Sequence, residues 1–155
     1  MDVTSCTQTI KSCRTVLSDI NKSRFDKLAI LDVLDFAAGK LVPALNIRKQ
    51  KQAIVFHPVC SVYKMGSLAN LQVIGNACAK ESKIPVFSGC CGMAGDRGFY
   101  YPQLTKAATK IESMEVKQSS YDGYYSSSRT CEMALSEAVG KNYVSVLKLL
   151  DEVSV

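Results

Sequence analysis

Three times along this chain a short apolar run is followed within a few residues by cysteine and then by a helical pattern, and that order restricts the fold more than any other feature. Ala53-Ile54-Val55-Phe56 reads as a buried strand ending at His57, and Cys60 comes next, ahead of a helix over about 66–80 marked by Leu68, Leu71, Ile74 and Cys78. Ile84-Pro85-Val86-Phe87 is the second strand candidate, although Pro85 removes a ladder donor and moves it toward a sheet edge. It leads to Cys90 and Cys91, and then to an amphipathic helix with Leu104, Ala107, Ala108, Ile111 and Met114 on its expected core face. Tyr121 to Tyr125 reads as the third strand, with Cys131 at the start of a helix over Thr130 to Val139. Strand, loop and helix joined by short connections imply an α/β fold: a small parallel sheet flanked by helices in a three-layer-like domain. Ligand crevices in such sheets lie beyond the carboxyl ends of the strands. Cys60, Cys90, Cys91 and Cys131 are therefore expected together at that C-terminal rim, and Cys78 is not.

The stretch Gly89-Cys90-Cys91-Gly92-Met93-Ala94-Gly95-Asp96-Arg97-Gly98 needs its own explanation. Four glycines in ten residues allow left-handed and close-approach backbone, so the loop can wrap a bulky object. Adjacent side chains point apart in strands and helices, but in a loop two neighbouring thiols can converge on one metal centre. Zinc sites usually draw their ligands in spaced pairs such as Cys-x₂-Cys. Adjacent thiols sit more easily on different atoms of a larger cluster, which favours iron–sulfur over zinc. Thiolates are required in either case, and helix N-termini lower thiol pKa values.

The chain has 155 residues, enough for one domain with a real core. No apolar run approaches the roughly 20 residues that cross a bilayer, and Met1-Asp2-Val3-Thr4-Ser5 lacks a secretory layout. The expected compartment is the reducing cytoplasm, with peripheral association at the inner face of the membrane left open. Seven cysteines are an odd number for a disulfide framework and suit metal or redox chemistry there. Cys13 and Cys78 fall on apolar helical faces and are expected to act as small hydrophobes. The net charge of +5 is scattered apart from Arg48, Lys49 and Lys51, and no aromatic residues interleave with it, which argues against nucleic acid. Ile10, Cys13, Leu17 and Ile20 suggest a first helix over about 5–19. Leu28-Ala29-Ile30-Leu31 reads as a short buried strand, a reading that periodicity alone does not settle, with Asp32 capping a helix that runs toward Leu41 and is interrupted at Pro43. Tyr143 to Val153 reads as a last helix after Gly140.

His57-Pro58-Val59-Cys60-Ser61, the run from Gly89 to Phe99, and Tyr125-Ser126-Ser127-Ser128-Arg129-Thr130-Cys131-Glu132 together resemble the cysteine-rich CCG domain at the C-terminus of FAD-linked D-lactate dehydrogenases. Similar domains occur in the iron–sulfur subunits of glycolate oxidase and anaerobic glycerol-3-phosphate dehydrogenase, and in heterodisulfide reductase. The resemblance covers about residues 50–155, and sets 49–155 as the CCG domain after an N-terminal helical segment, 1–48. It implies a [4Fe–4S]-type cluster on Cys60, Cys90, Cys91 and Cys131, with FAD carried outside this chain. The parent enzyme would oxidise a 2-hydroxy acid at its flavin domain and pass electrons toward a quinone or cytochrome, and the domain alone would be inactive. The family pattern closes in Cys-x-x-Cys, whereas Ser128 stands at the first of those positions here. Ser128 is expected to hydrogen-bond a sulfur or cap the helix.

A faint echo of Arg129-Thr130-Cys131 in Thr4-Ser5-Cys6 suggests that the chain opens at the closing motif of a preceding CCG repeat. An ordinary helix cap explains the echo equally well. An upstream CCG or ferredoxin-like repeat and the flavin domain are the implied partners. His57, the only histidine, is expected to anchor its turn or donate to a cluster sulfur ahead of ligating metal. Asp96 and Arg97 are expected either to contact the flavin or a partner domain or to pair with each other. A zinc-stabilised interaction module and a thiol–disulfide protein using Cys90 and Cys91 remain the alternatives.

Overall fold

The computed structural model describes residues 1–48 and 50–154. Its centre is β1, Lys51–His57, whose residues Ile54, Val55, Phe56 and His57 are all buried, as a strand covered on both faces requires. It is flanked by β2 (Ala79–Lys83) on one side and β3 (Gly123–Ser126) on the other, and β4 (Tyr143–Ser145) lies beyond β3. All three pairings are parallel, and the order is β2-β1-β3-β4. The α/β reading holds, with four strands where the sequence suggested three.

The second strand is not Ile84–Phe87. Ala79–Lys83 pairs with β1 instead, although only Ala79 in it is fully buried. Charged Lys80 and Glu81 suit a sheet edge that must not recruit another strand. The chain leaves the sheet before Pro85, and the backbone N–H groups of Val86 and Phe87 donate to the Glu115 carboxylate at 3.0 and 3.2 Å. Tyr143 likewise opens a strand and not a helix. Its N–H donates to Ser136 Oγ at 2.8 Å, and the last helix, Val146–Val153, starts only after Ser145 caps it by accepting from Leu147 N–H at 3.2 Å.

Helix Pro102–Val116 turns the opposite way from its apolar stripe. Thr105, Thr109, Glu112, Ser113 and Val116 face inward, while Leu104, Ala107, Ala108, Ile111 and Met114 are exposed. Polar contacts beneath the strand ends set this orientation: Glu112 meets His57, and the Thr105 hydroxyl lies 3.6 Å from Met93 Sδ. The first helix is similarly inverted. It spans Thr4–Cys13, passes through a tight turn at Arg14–Val16 into a second helix, Asp19–Phe25, and buries Thr4 and Thr7. Cys13 and Ile20 are exposed, so Cys13 is not a core hydrophobe, and Cys78 is.

Asp32 caps the helix over 33–44 by accepting from Leu34 N–H at 3.0 Å, as expected, whereas Leu28–Leu31 forms no strand and exposes Leu28 and Leu31. That helix continues through Pro43 by widening to a π turn at Ala37–Leu41, which accommodates a residue with no N–H to donate. The Thr4 hydroxyl bridges Asp32 Oδ1 (3.1 Å) and Ser127 Oγ (2.9 Å), and Thr4 N–H donates to Ser127 O at 3.1 Å. The N-terminal segment is thereby tied to the end of β3. Of the basic cluster, Lys49 lies outside the described residues, and Lys51 pairs with Glu152 at 2.9 Å.

Asp32→Ala removes a cap and a buried tether together. The variant should lose about 1–2 kcal/mol in urea unfolding, and an unchanged midpoint and slope would show that the tether contributes nothing.

Candidate metal centre

The register of the sheet sets the rim. His57, the last residue of β1, pairs with Ser126, the last of β3, and Ser126 Oγ donates to His57 O at 3.0 Å. Three residues beyond His57 the chain enters the short helix Cys60–Met65, and shortly beyond Ser126 it enters Arg129–Val139, so Cys60 and Cys131 both sit in first helical turns above the sheet. Cys90 and Cys91 arrive on the long loop after β2. The loop is held by Gly92, whose φ is +78° and where a Cβ would come within 2.8 Å of both Leu104 O and Thr105 Cα. The glycine therefore serves close approach to helix Pro102–Val116 rather than to a ligand.

One cavity of about 590 Å³ opens at this rim, and Cys6, Cys60, Cys90, Cys91 and Cys131 all line it, with Ser128 beside them. Ser128 is the residue preceding helix Arg129–Val139, and its hydroxyl lies 3.4 Å from that of Thr130. Asp96 and Arg97 are exposed and do not line the cavity, and among the described residues no ion pair joins them. Cys78 is remote in the core, where burial raises its thiol pKa to about 11.

At the floor, Cys91 Sγ lies 2.8 Å from Cys131 Sγ, and both thiols are free. The hydrogen bond from Cys131 lowers the Cys91 thiol to about 6 against the opposing effect of burial, with help from the Met93 backbone N–H and nearby His57. Cys131 is raised because it keeps the proton it donates to Cys91, and burial and the neighbouring Cys60 and Cys90 add to this. One thiolate and one thiol therefore share a proton near neutral pH, the state from which a thiophilic metal displaces protons most readily. Gly92 N–H also donates to Cys90 Sγ at 3.4 Å.

His57 lies beneath the two sulfurs. Donor atoms of His57, Cys91 and Cys131 all fall within 4.8 Å of one another. His57 Nδ1 is 2.8 and 3.0 Å from the two oxygens of Glu112, which is itself buried. Glu112 is the site residue that the sequence concealed: it lies 55 positions from His57 on a helix whose apolar stripe pointed elsewhere. Cys6, which the echo of Arg129-Thr130-Cys131 singles out, also lines the cavity, brought there by the Thr4–Ser127 tether. Protein-family models give no match to this chain, and a search of curated proteins gives none.

In the metal-free chain, ultraviolet thiolate absorbance should reveal one thiol ionising near pH 6, and Cys131→Ala should move that midpoint upward. Absence of any thiol ionising below the ordinary value of about 8.5 would mean that the Cys91–Cys131 contact does not exist in solution.

Proposed function

We propose that this domain holds an iron–sulfur cluster of the [4Fe–4S] type on Cys60, Cys90, Cys91 and Cys131, and serves electron transfer in an oxidoreductase resembling the FAD-linked D-lactate dehydrogenases. The observation that carries the reading is the single cavity onto which all four of these thiols open, with Cys6 beside them. A volume of about 590 Å³ exceeds the needs of one ion many times over, since a water's share of liquid volume is about 30 Å³. The donor set fits the group: four thiols match the usual demand of such a cluster, and Cys91 is already inclined to ionise. When bound, the cluster supplies one-electron transfer.

In the parent enzyme this reading places FAD and the oxidation of a 2-hydroxy acid on another domain, and a quinone or cytochrome downstream. Asp96 and Arg97, exposed and outside the cavity lining, suit contact with such a partner domain better than contact with the cofactor. No described helix is long and apolar enough to cross a membrane. A single zinc ion is the second reading, favoured by the compactness of His57, Cys91 and Cys131. A Cys90–Cys91 redox pair has less support, because the sulfurs in contact are those of Cys91 and Cys131.

Anaerobic reconstitution with iron and sulfide should give a brown protein with about four irons per chain. Cys91→Ser should lose most of that uptake, while Cys13→Ser, changed at an exposed position off the cavity, should keep it. A colourless product, or equal uptake by both variants, would defeat the proposal.

A further inference from the structure

We propose that Cys91 and Cys131 are a redox modification site: hydrogen peroxide joins them in a reversible disulfide, and that bond closes the centre to metal. The bond itself depends only on the two sulfurs, while what it switches off rests on the iron–sulfur reading above. The two Sγ atoms are 2.8 Å apart and both thiols are free. A disulfide is about 2.0 Å long, so the sulfurs need to close by less than about 1 Å. Among the described residues no other two cysteine sulfurs are hydrogen-bonded to each other. Both main chains are also held in place. Gly92, next to Cys91, packs where a Cβ would come within 2.8 Å of Thr105 Cα, and Cys131 lies in the first turn of Arg129–Val139, where Glu132 N–H donates to Ser128 O at 3.0 Å. Reacting atoms fixed in contact react far faster than atoms that must first meet, which favours this pair over the exposed thiols of Cys6, Cys13, Cys60 and Cys90.

Cys91 and Cys131 are buried and reached only through the cavity they line, so the oxidant must be small, and hydrogen peroxide is little larger than water. One sulfur, as thiolate, attacks a peroxide oxygen and breaks the O–O bond. The departing hydroxide takes up that thiol's proton and leaves as water, and the sulfur becomes a sulfenic acid. The second sulfur then attacks the first, the S–O bond breaks, and its own proton leaves with the hydroxyl as a second water. Two thiols and one peroxide thus give one disulfide and two waters, with two electrons passing from sulfur to oxygen. Cys90 is adjacent in sequence, but its sulfur accepts from Gly92 N–H at 3.4 Å and makes no contact with that of Cys91 among the described hydrogen bonds. The bridge removes two of the four candidate ligands at once, because a disulfide sulfur is no longer a thiolate. It also ties the glycine-rich loop to helix Arg129–Val139 across 40 positions. Reduction by a dithiol restores both thiols and reopens the centre.

The full chain, stripped with chelator and reductant, is given one equivalent of hydrogen peroxide, blocked with an alkylating reagent and digested without reduction. The count of seven free thiols should fall by two, and mass spectrometry should find the peptides of Cys91 and Cys131 linked. Cys90→Ser should form the same link, and a dithiol should restore the full count. A bridge that instead joins Cys90 to Cys91 or Cys60 to Cys90, or oxidation to sulfinic acid with no bridge, overturns the pairing. Iron uptake during anaerobic reconstitution, measured before and after reduction of the oxidised chain, tests the switch: uptake should be lost in the bridged form and return with the dithiol. Equal uptake by bridged and reduced chains overturns the closure of the centre. A mapped bridge in a chain that takes up no cluster even when reduced supports the pairing and sinks the iron–sulfur reading alone.

Discussion

The parallel pairing of β1 with β3 is the constraint on which the rest depends. It brings His57 and Ser126 side by side at the end of the sheet, and everything chemically unusual in the chain lies within a few residues of one or the other or packs directly on them. Antiparallel pairing would have sent Cys60 and Cys131 to opposite ends of the molecule. Parallel strands oblige the chain to cross over through helices, and each crossover begins at the rim, so thiols far apart in sequence arrive as neighbours. The tether from Thr4 to Asp32 and Ser127 adds a fourth segment and places Cys6 over the same cavity.

This arrangement has a cost that packing alone does not repay. Helix Pro102–Val116 turns Leu104, Ile111 and Met114 to solvent so that Thr105, Thr109 and Glu112 can lie under the rim. A buried carboxylate and imidazole gain little stability over an apolar pair of similar volume, since desolvation consumes most of their attraction. Departures from the apolar pattern concentrated at one place mark a site held for its chemistry. The thiols add to this picture: Cys91 is depressed and Cys131 raised by one short contact, whereas Cys78, in plain apolar surroundings, is merely raised by burial.

The rim was legible because two independent patterns coincided on it, short apolar runs and the cysteines that follow them. Cys60, Cys90, Cys91 and Cys131 could be grouped without coordinates for that reason. The second strand was not legible, since Ile84, Val86 and Phe87 look like a strand and Ala79–Lys83, a charged edge held by backbone pairing, does not. Tyr143–Ser145 was absorbed into a helix because its spacing runs continuously into Val146–Val153. Glu112 was hidden by the same helical periodicity that made its helix obvious, and its partner His57 is 55 positions away. Local patterns report an element's existence; a long-range polar contact decided which way it faced.

The central claim is that one rim gathers these thiols around a multinuclear iron centre. Iron X-ray absorption on the anaerobically reconstituted chain tests it most directly. The account predicts a first shell dominated by sulfur and a second shell containing iron. A first shell of oxygen and nitrogen alone, with no iron neighbour, would mean that the metal is bound adventitiously elsewhere and would contradict it.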